Sequence, residues 1–169
     1  MAWTAQPDEA AQKALAPLAL LEGAWHGDGT GPYGPIEHET QATWRGRWLL
    51  LTGSIFEPGT YNVTYVSTQV LGYDDDGLVL QYFDTAGAFD FRGETANDGV
   101  TFTWKRGDAK FGANVADLWK TSEFSPTKNG EINFRYQSME PAAGEDPLTF
   151  TGTWKPGARP AIASVEPRG

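Results

Sequence analysis

Two histidines, six tyrosines and scattered carboxylates are the reactive side chains of this sequence, because it has no cysteine. Thiolate nucleophiles, disulfides and zinc ribbons are therefore excluded. Gly-x-Ser-x-Gly elbows, paired-histidine metal motifs and serine triads are also missing, so any catalysis must run on histidine, tyrosine, carboxylate and shape. His26 stands two residues before Asp28, and the two could offer half of the ligands a structural metal usually wants. Nothing nearby completes the set, and strand alternation turns His26 to the face opposite Trp25, which makes it a surface histidine. The run Asp74-Asp75-Asp76-Gly77 sets its carboxylates side by side, whereas a calcium loop spaces them alternately so that oxygens converge; these are turn residues. The stretch LLEGAWHGDGTGPYGP, residues 20–35, has the glycines of a phosphate cradle. Such a cradle lies between a strand and a helix N-terminus, and here the helical pattern comes first and a strand follows, so nucleotide binding is not expected.

His38 is the better placed histidine. Along residues 36–45 the wet face is Glu37, Glu39, Gln41, Thr43 and Arg45, which turns Ile36, His38, Thr40, Ala42 and Trp44 inward. An inward imidazole in a ring-lined pocket is either a satisfied core group or a polar anchor or general base. Tyr65 and Tyr136 are the candidate catalytic companions, with Asp117 and Glu123 as possible carboxylate partners. The same alternation points Phe89 and Phe91, Val100, Phe102 and Trp104, Ile132, Phe134 and Tyr136, and Leu148, Phe150 and Trp154 inward. Small inner residues such as Thr40, Ala42 and Gly152 leave space among the rings. The expected ligand-binding wall is Thr40, Ala42, Trp44, Phe91, Phe102, Trp104, Phe134 and Phe150.

These side chains need a scaffold of strands. The only helical pattern covers residues 10–21, where Leu15, Leu18 and Leu21 share a face, Pro17 splits or ends it, and Gly23 stops what remains. From Trp25 onward the hydrophobic period is two. Asp76-Gly77, Asp98-Gly99 and Asn129-Gly130, each flanked by alternating apolar residues, are hairpin signals. Nine or ten strands in an antiparallel meander follow, without the helical crossovers a parallel sheet needs. Closure into an up-and-down barrel removes the exposed edges. The expected fold is thus all-β, one barrel domain over residues 1–155, with 156–169 as a loose tail. Residues 48–56, 61–71, 78–84 and 115–124 are apolar on both faces, so either a helix or a partner subunit should cover the outside; the N-terminal helix can cover only part, which leaves room for a homodimer.

A chain of 169 residues with 40 % hydrophobic and 13 % aromatic residues can build a ring-lined core without staples. Its net charge of −9 repels phosphate backbones and anionic membrane surfaces, so neither nucleic acid nor membrane is an expected partner. The apolar stretch at 14–21 is too short to span a bilayer and follows Asp8 and Glu9 rather than a basic segment; a soluble, cytoplasmic protein is the expectation. The Asn62-Val63-Thr64 acceptor pattern is then a chance match on a strand.

The order of a short helix, Gly23-Ala24-Trp25 and a strand opening a barrel resembles the calycin superfamily, the lipocalins and fatty-acid-binding proteins. In that resemblance the Trp25 indole plugs one barrel end beneath a basic residue from the last strand, for which Lys155 or Arg159 stands available. The fuller LLEGAWHGDGTG is similar to the nitrobindin-like haem barrels, and GRWLLLTG and LGYDDDG to a group of bacterial lipocalin-like domains. The nitrobindin resemblance implies a haem-ligating histidine near the C-terminus, and no histidine follows His38, so haem is disfavoured and no cofactor is expected. The resulting expectation is binding of a small, mostly apolar molecule. A cofactor-free isomerase or cyclase using the same cavity is the first alternative, and a haem barrel the second.

Overall fold

The computed structural model describes residues 13, 15–75, 77–84, 87–95, 102–111, 119–138, 146 and 148–162. Alternation and turn chemistry produce ten antiparallel strands: β1 (Gly23–Gly31), β2 (Gly34–Arg45), β3 (Trp48–Phe56), β4 (Val63–Asp74), β5 (Gly77–Asp84), β6 (Gly87–Thr95), β7 (Phe102–Phe111), β8 (Trp119–Pro126), β9 (Ile132–Ser138) and β10 (Thr149–Pro156). Each pairs with its sequence neighbours, and β10 returns to β1 to close the barrel, His26 opposite Lys155 and Gly29 opposite Gly152. Two of the hairpin signals sit where expected: Asp74 pairs with Gly77 across the β4–β5 turn, and Gly130 takes φ +76° in the β8–β9 turn. Asp98-Gly99 lies outside the described residues.

The expected helix over 10–21 differs in kind. Where described it is a 3₁₀ helix, Ala16–Leu21, with Pro17 in its first turn instead of at its end. Three residues per turn suits the spacing of Leu15, Leu18 and Leu21, and all three are buried. Their backbone then serves the barrel, since Trp25 Nε1 donates to the Leu21 carbonyl at 2.7 Å.

Register settles the strands that are apolar on both faces. Leu49, Leu51, Gln69, Leu71, Leu78, Leu80 and Tyr82 are buried inside, and the chain covers part of the outer face itself. The Trp48 indole lies on Gly72, where a Cβ would stand 2.1 Å from the ring, and the Arg47 guanidinium caps the indole at 5.2 Å from its centroid. Phe56, on the outer side, is covered by Arg159 at 4.2 Å from the ring centroid.

The segment expected to be a loose tail is therefore fastened as far as residue 162. Gly157 N donates to the Ala24 carbonyl at 2.8 Å, Ile162 N to the Tyr61 hydroxyl at 3.0 Å, and Arg159 Nη2 to the Thr60 carbonyl at 2.7 Å. Arg159 also forms an ion pair with Glu37. The basic cover expected over Trp25 is corrected by the same contacts: Arg159 sits on Phe56, and Lys155 reaches Asp28 at 3.9 Å on the surface. Leu148 precedes β10 and is exposed, so it does not belong to the inner face. Among the described residues no helix is long and apolar enough to cross a membrane.

Candidate functional site

The glycines of β1 form part of the barrel seam. Gly27, Gly29 and Gly31 share the inward parity of Trp25, so β1 presents almost no side chain there. A Cβ at Gly27 would fall 1.9 Å from the Thr153 carbonyl oxygen and 3.1 Å from His38 Nε2. One at Gly31 would stand 2.9 Å from the Phe150 ring, and one at Gly152 on β10 would stand 2.7 Å from Phe134. The missing side chains let β1 and β10 approach and let the two phenylalanines and His38 lean across the seam.

The interior has two unlike ends. Around Trp25 the leucines of the 3₁₀ helix, Ala42, Leu49, Leu51, Leu71, Leu78 and Leu80 belong to one buried core. Toward the β1–β2 turn a chamber of about 50 Å³ remains. Ile36, Ile55, Phe134, Phe150 and Trp154 supply its apolar wall. Its polar wall is His38, Thr40, Ser67 and Gln69, with the tyrosines Tyr65, Tyr82 and Tyr136. That volume admits a few water molecules or a small head group. Beyond it, Ile36, Ile55, Tyr65 and Phe150 also border a depression of about 380 Å³ at the barrel mouth, walled by Pro32, Tyr33, Pro35 and Pro58.

His38 is 4 % exposed and neither ring nitrogen makes a well-formed hydrogen bond, Nε2 lying in the seam near the Thr153 main chain. Phe134 meets it edge-on with centroids 4.9 Å apart, and Trp154 lies at 6.3 Å. Burial pushes its pKa down to about 4, His26 on the adjacent strand adds to the depression, and the nearby Thr153 main chain opposes it weakly. The imidazole is therefore neutral at physiological pH. Gln69, 5 % exposed, turns its amide nitrogen to the Tyr136 hydroxyl and leaves Oε1 without a partner. Tyr65 donates to the Asp84 carboxylate and meets the Tyr82 hydroxyl at 2.5 Å, while Asp84 also accepts from Gly87 N at 3.1 Å. Burial is the main cause that raises the pKa of Tyr65 and of Tyr136 above the ordinary tyrosine value. Outside the barrel Arg159 holds the Glu37 carboxyl below its usual range.

The three candidate catalytic residues, His38, Tyr65 and Tyr136, meet in this chamber, as do Thr40, Phe134 and Phe150 of the expected ligand wall. Ala42 and Phe91 are buried in the core away from the chamber lining, and Trp44 packs partly buried against that core. The side chains of Phe102 and Trp104 lie outside the described residues, as do Phe89, Val100 and Asp117; the β7–β8 register sets the backbone of Phe102 opposite Phe124. Glu123 is no partner for His38: it lies opposite Arg135, while its neighbours Ser122 and Phe124 are the buried positions. Gln69, Ser67, Tyr82 and Asp84 went unread in the sequence because their strands are apolar on both faces. The signal was the run of aspartates before Gly77: closing the hairpin at the Asp74–Gly77 pair, one residue earlier than an Asp76-Gly77 turn would, sets Gln69 opposite Tyr82. Among the described residues no three His, Asp or Glu side chains converge as a metal site would need.

Haem does not fit this chamber. Phe134 stands edge-on against the imidazole, the seam at Gly27 crowds Nε2, and the macrocycle is many times larger than the space beside them.

Fold and site together define a ten-stranded antiparallel β-barrel, packed at one end and hollow, with a polar lining, at the other. No family model and no curated protein matches the chain. Among solved structures, the crystal structure of Rv2717c from M. tuberculosis is similar, with a TM-score of 0.61 at 19 % identity over 85 % of this chain and 97 % of that one. At that identity the likeness concerns the barrel fold.

Proposed function

We propose that this protein binds a small molecule, in the manner of a calycin-like carrier, with the ligand's tip in the inner chamber and its apolar body in the mouth. The observation that carries this reading is a pair of buried polar side chains that line a void and keep atoms without a partner: His38, at Nδ1, and Gln69, at Oε1. Each buried polar atom left unsatisfied costs about 1–3 kcal/mol, a cost that a bound partner removes. The rings of Phe134, Phe150 and Trp154 supply contact area beside them.

Binding is favoured over proton transfer by the same environment. A general acid or base works best with a pKa near the working pH, whereas burial moves His38 down to about 4 and Tyr65 and Tyr136 upward, away from neutrality. The test is a titration with 1-octanol followed by nuclear Overhauser contacts to the protein. Saturable binding with contacts to Phe134 and Phe150 ring protons is expected. Absence of binding, or contacts confined to the exposed face of β4 and β5, would overturn the reading.

A further inference from the structure

We infer that the chamber selects a neutral head group that donates a hydrogen bond, such as an alcohol or a primary carboxamide, and rejects both carboxylates and ammonium ions. This rests on the binding reading above and concerns the chemistry of its ligand.

The protons around the chamber decide what it can accept. Gln69 has its nitrogen committed to Tyr136, so what it offers a ligand is Oε1, an acceptor. A neutral imidazole carries one donor and one acceptor; in His38 the Thr153 main chain beside Nε2 favours the proton there, which leaves Nδ1 as an acceptor without a partner. Tyr65 has a single hydroxyl proton and gives it to Asp84, so the Tyr65–Tyr82 contact must use the proton of Tyr82. Both phenolic protons are thereby engaged. The partnerless acceptors are thus Gln69 Oε1 and His38 Nδ1, which suits a head that brings at least one N–H or O–H.

Charge narrows the choice further. Among the described residues no Lys or Arg lines the chamber or the mouth, so a carboxylate entering it would be desolvated without a counter-ion from them. Asp84 behind Tyr65 and Glu57 at the mouth add negative charge on the same path. An ammonium ion is drawn to the mouth by the same charges but loses its hydration inside, where the Asp84 oxygens are already engaged by Tyr65 and Gly87. The small volume sets the head at a few heavy atoms, and the mouth takes an apolar chain.

Four probes with one eight-carbon body separate these terms: 1-octanol, octanamide, octanoate and octylamine, titrated calorimetrically at pH 7 into the full chain. The alcohol and the amide should bind, with the two ionised probes at least about tenfold weaker. Gln69→Leu should weaken the alcohol about tenfold and narrow its advantage over octanoate. Octanoate or octylamine binding within about threefold of the alcohol would overturn the head-group inference and leave the binding reading standing. An alcohol-to-octanoate ratio unchanged in Gln69→Leu would overturn it as well. If none of the four binds, both readings fall.

Discussion

The two ends of this barrel use the same strands for opposite purposes. At the Trp25 end, inward positions of β3, β4 and β5 are Leu49, Leu51, Leu71, Leu78 and Leu80, closed by the leucines of the 3₁₀ helix. A few residues along, the same strands present Gly53, Tyr65, Ser67, Gln69 and Tyr82 to a void. Leucine there would have filled the space and removed the bare atoms, at a gain in stability. A buried void with unsatisfied polar atoms lowers stability, and such costs concentrate where a protein meets its ligand.

Substitutions should sort by end. The largest effect is expected in the packed half. Trp25→Ala removes a buried indole, its contact with Trp154 and its hydrogen bond to Leu21, and should cost about 3–5 kcal/mol in urea denaturation. A soluble variant with unchanged stability would break the comparison at its stronger end.

Next comes pH. His38 titrates near its ordinary 6.5 when unfolded and at about 4 in the fold, so the unfolded chain binds more protons between those values. Stability should therefore fall as pH drops from about 6.5 toward about 4, with His38 contributing about 3 kcal/mol of the loss. His38→Phe should flatten that part of the curve. Equal slopes in both proteins would mean the imidazole is not held neutral by burial.

Arg159→Ala tests the strap that joins the two ends from outside. Its side chain is 8 % exposed, and the change removes the Glu37 pair, the Thr60 contact and the cover over Phe56. A loss of about 1–2 kcal/mol is expected, with faster hydrogen exchange in residues 57–62. Gln69→Leu, in the hollow half, should change stability by less than about 1 kcal/mol, because deleting the bare oxygen offsets the loss of the hydrogen bond to Tyr136. A loss as large as that of Trp25→Ala would place Gln69 among the structural residues.

The two halves were also unequally legible in the sequence. Where charged and apolar residues alternate strictly, as along β2, the inward face containing His38, Thr40 and Ala42 could be read directly, and Gly-Trp spacing marked the packed end. The hollow half rests on β3, β4 and β5, whose outer faces carry Trp48, Leu50, Val66, Val70 and Phe83, so alternation gave no direction. What covers part of that face, Trp48 on Gly72 and Arg159 on Phe56, depends on contacts far apart in the chain. The segment from Gly157 to Ile162 was unreadable for the same reason: a stretch with Pro160 and no period looks loose until Glu37, Thr60 and Tyr61 are known to lie beneath it.

The central claim is that the void is there to be occupied, and Gly53 allows the most direct test. It lines the chamber without a positive φ, and a Cβ there would stand 3.3 Å from Thr40 Oγ1 and 3.5 Å from Ser67 Oγ, so a slight shift of the Thr40 side chain admits a side chain that fills the space. Titrating 1-octanol into Gly53→Val beside the natural chain should show a melting temperature within about 5 °C of the original and binding at least about tenfold weaker. Undiminished binding in a folded Gly53→Val would contradict the account, because the ligand would then sit somewhere other than the chamber.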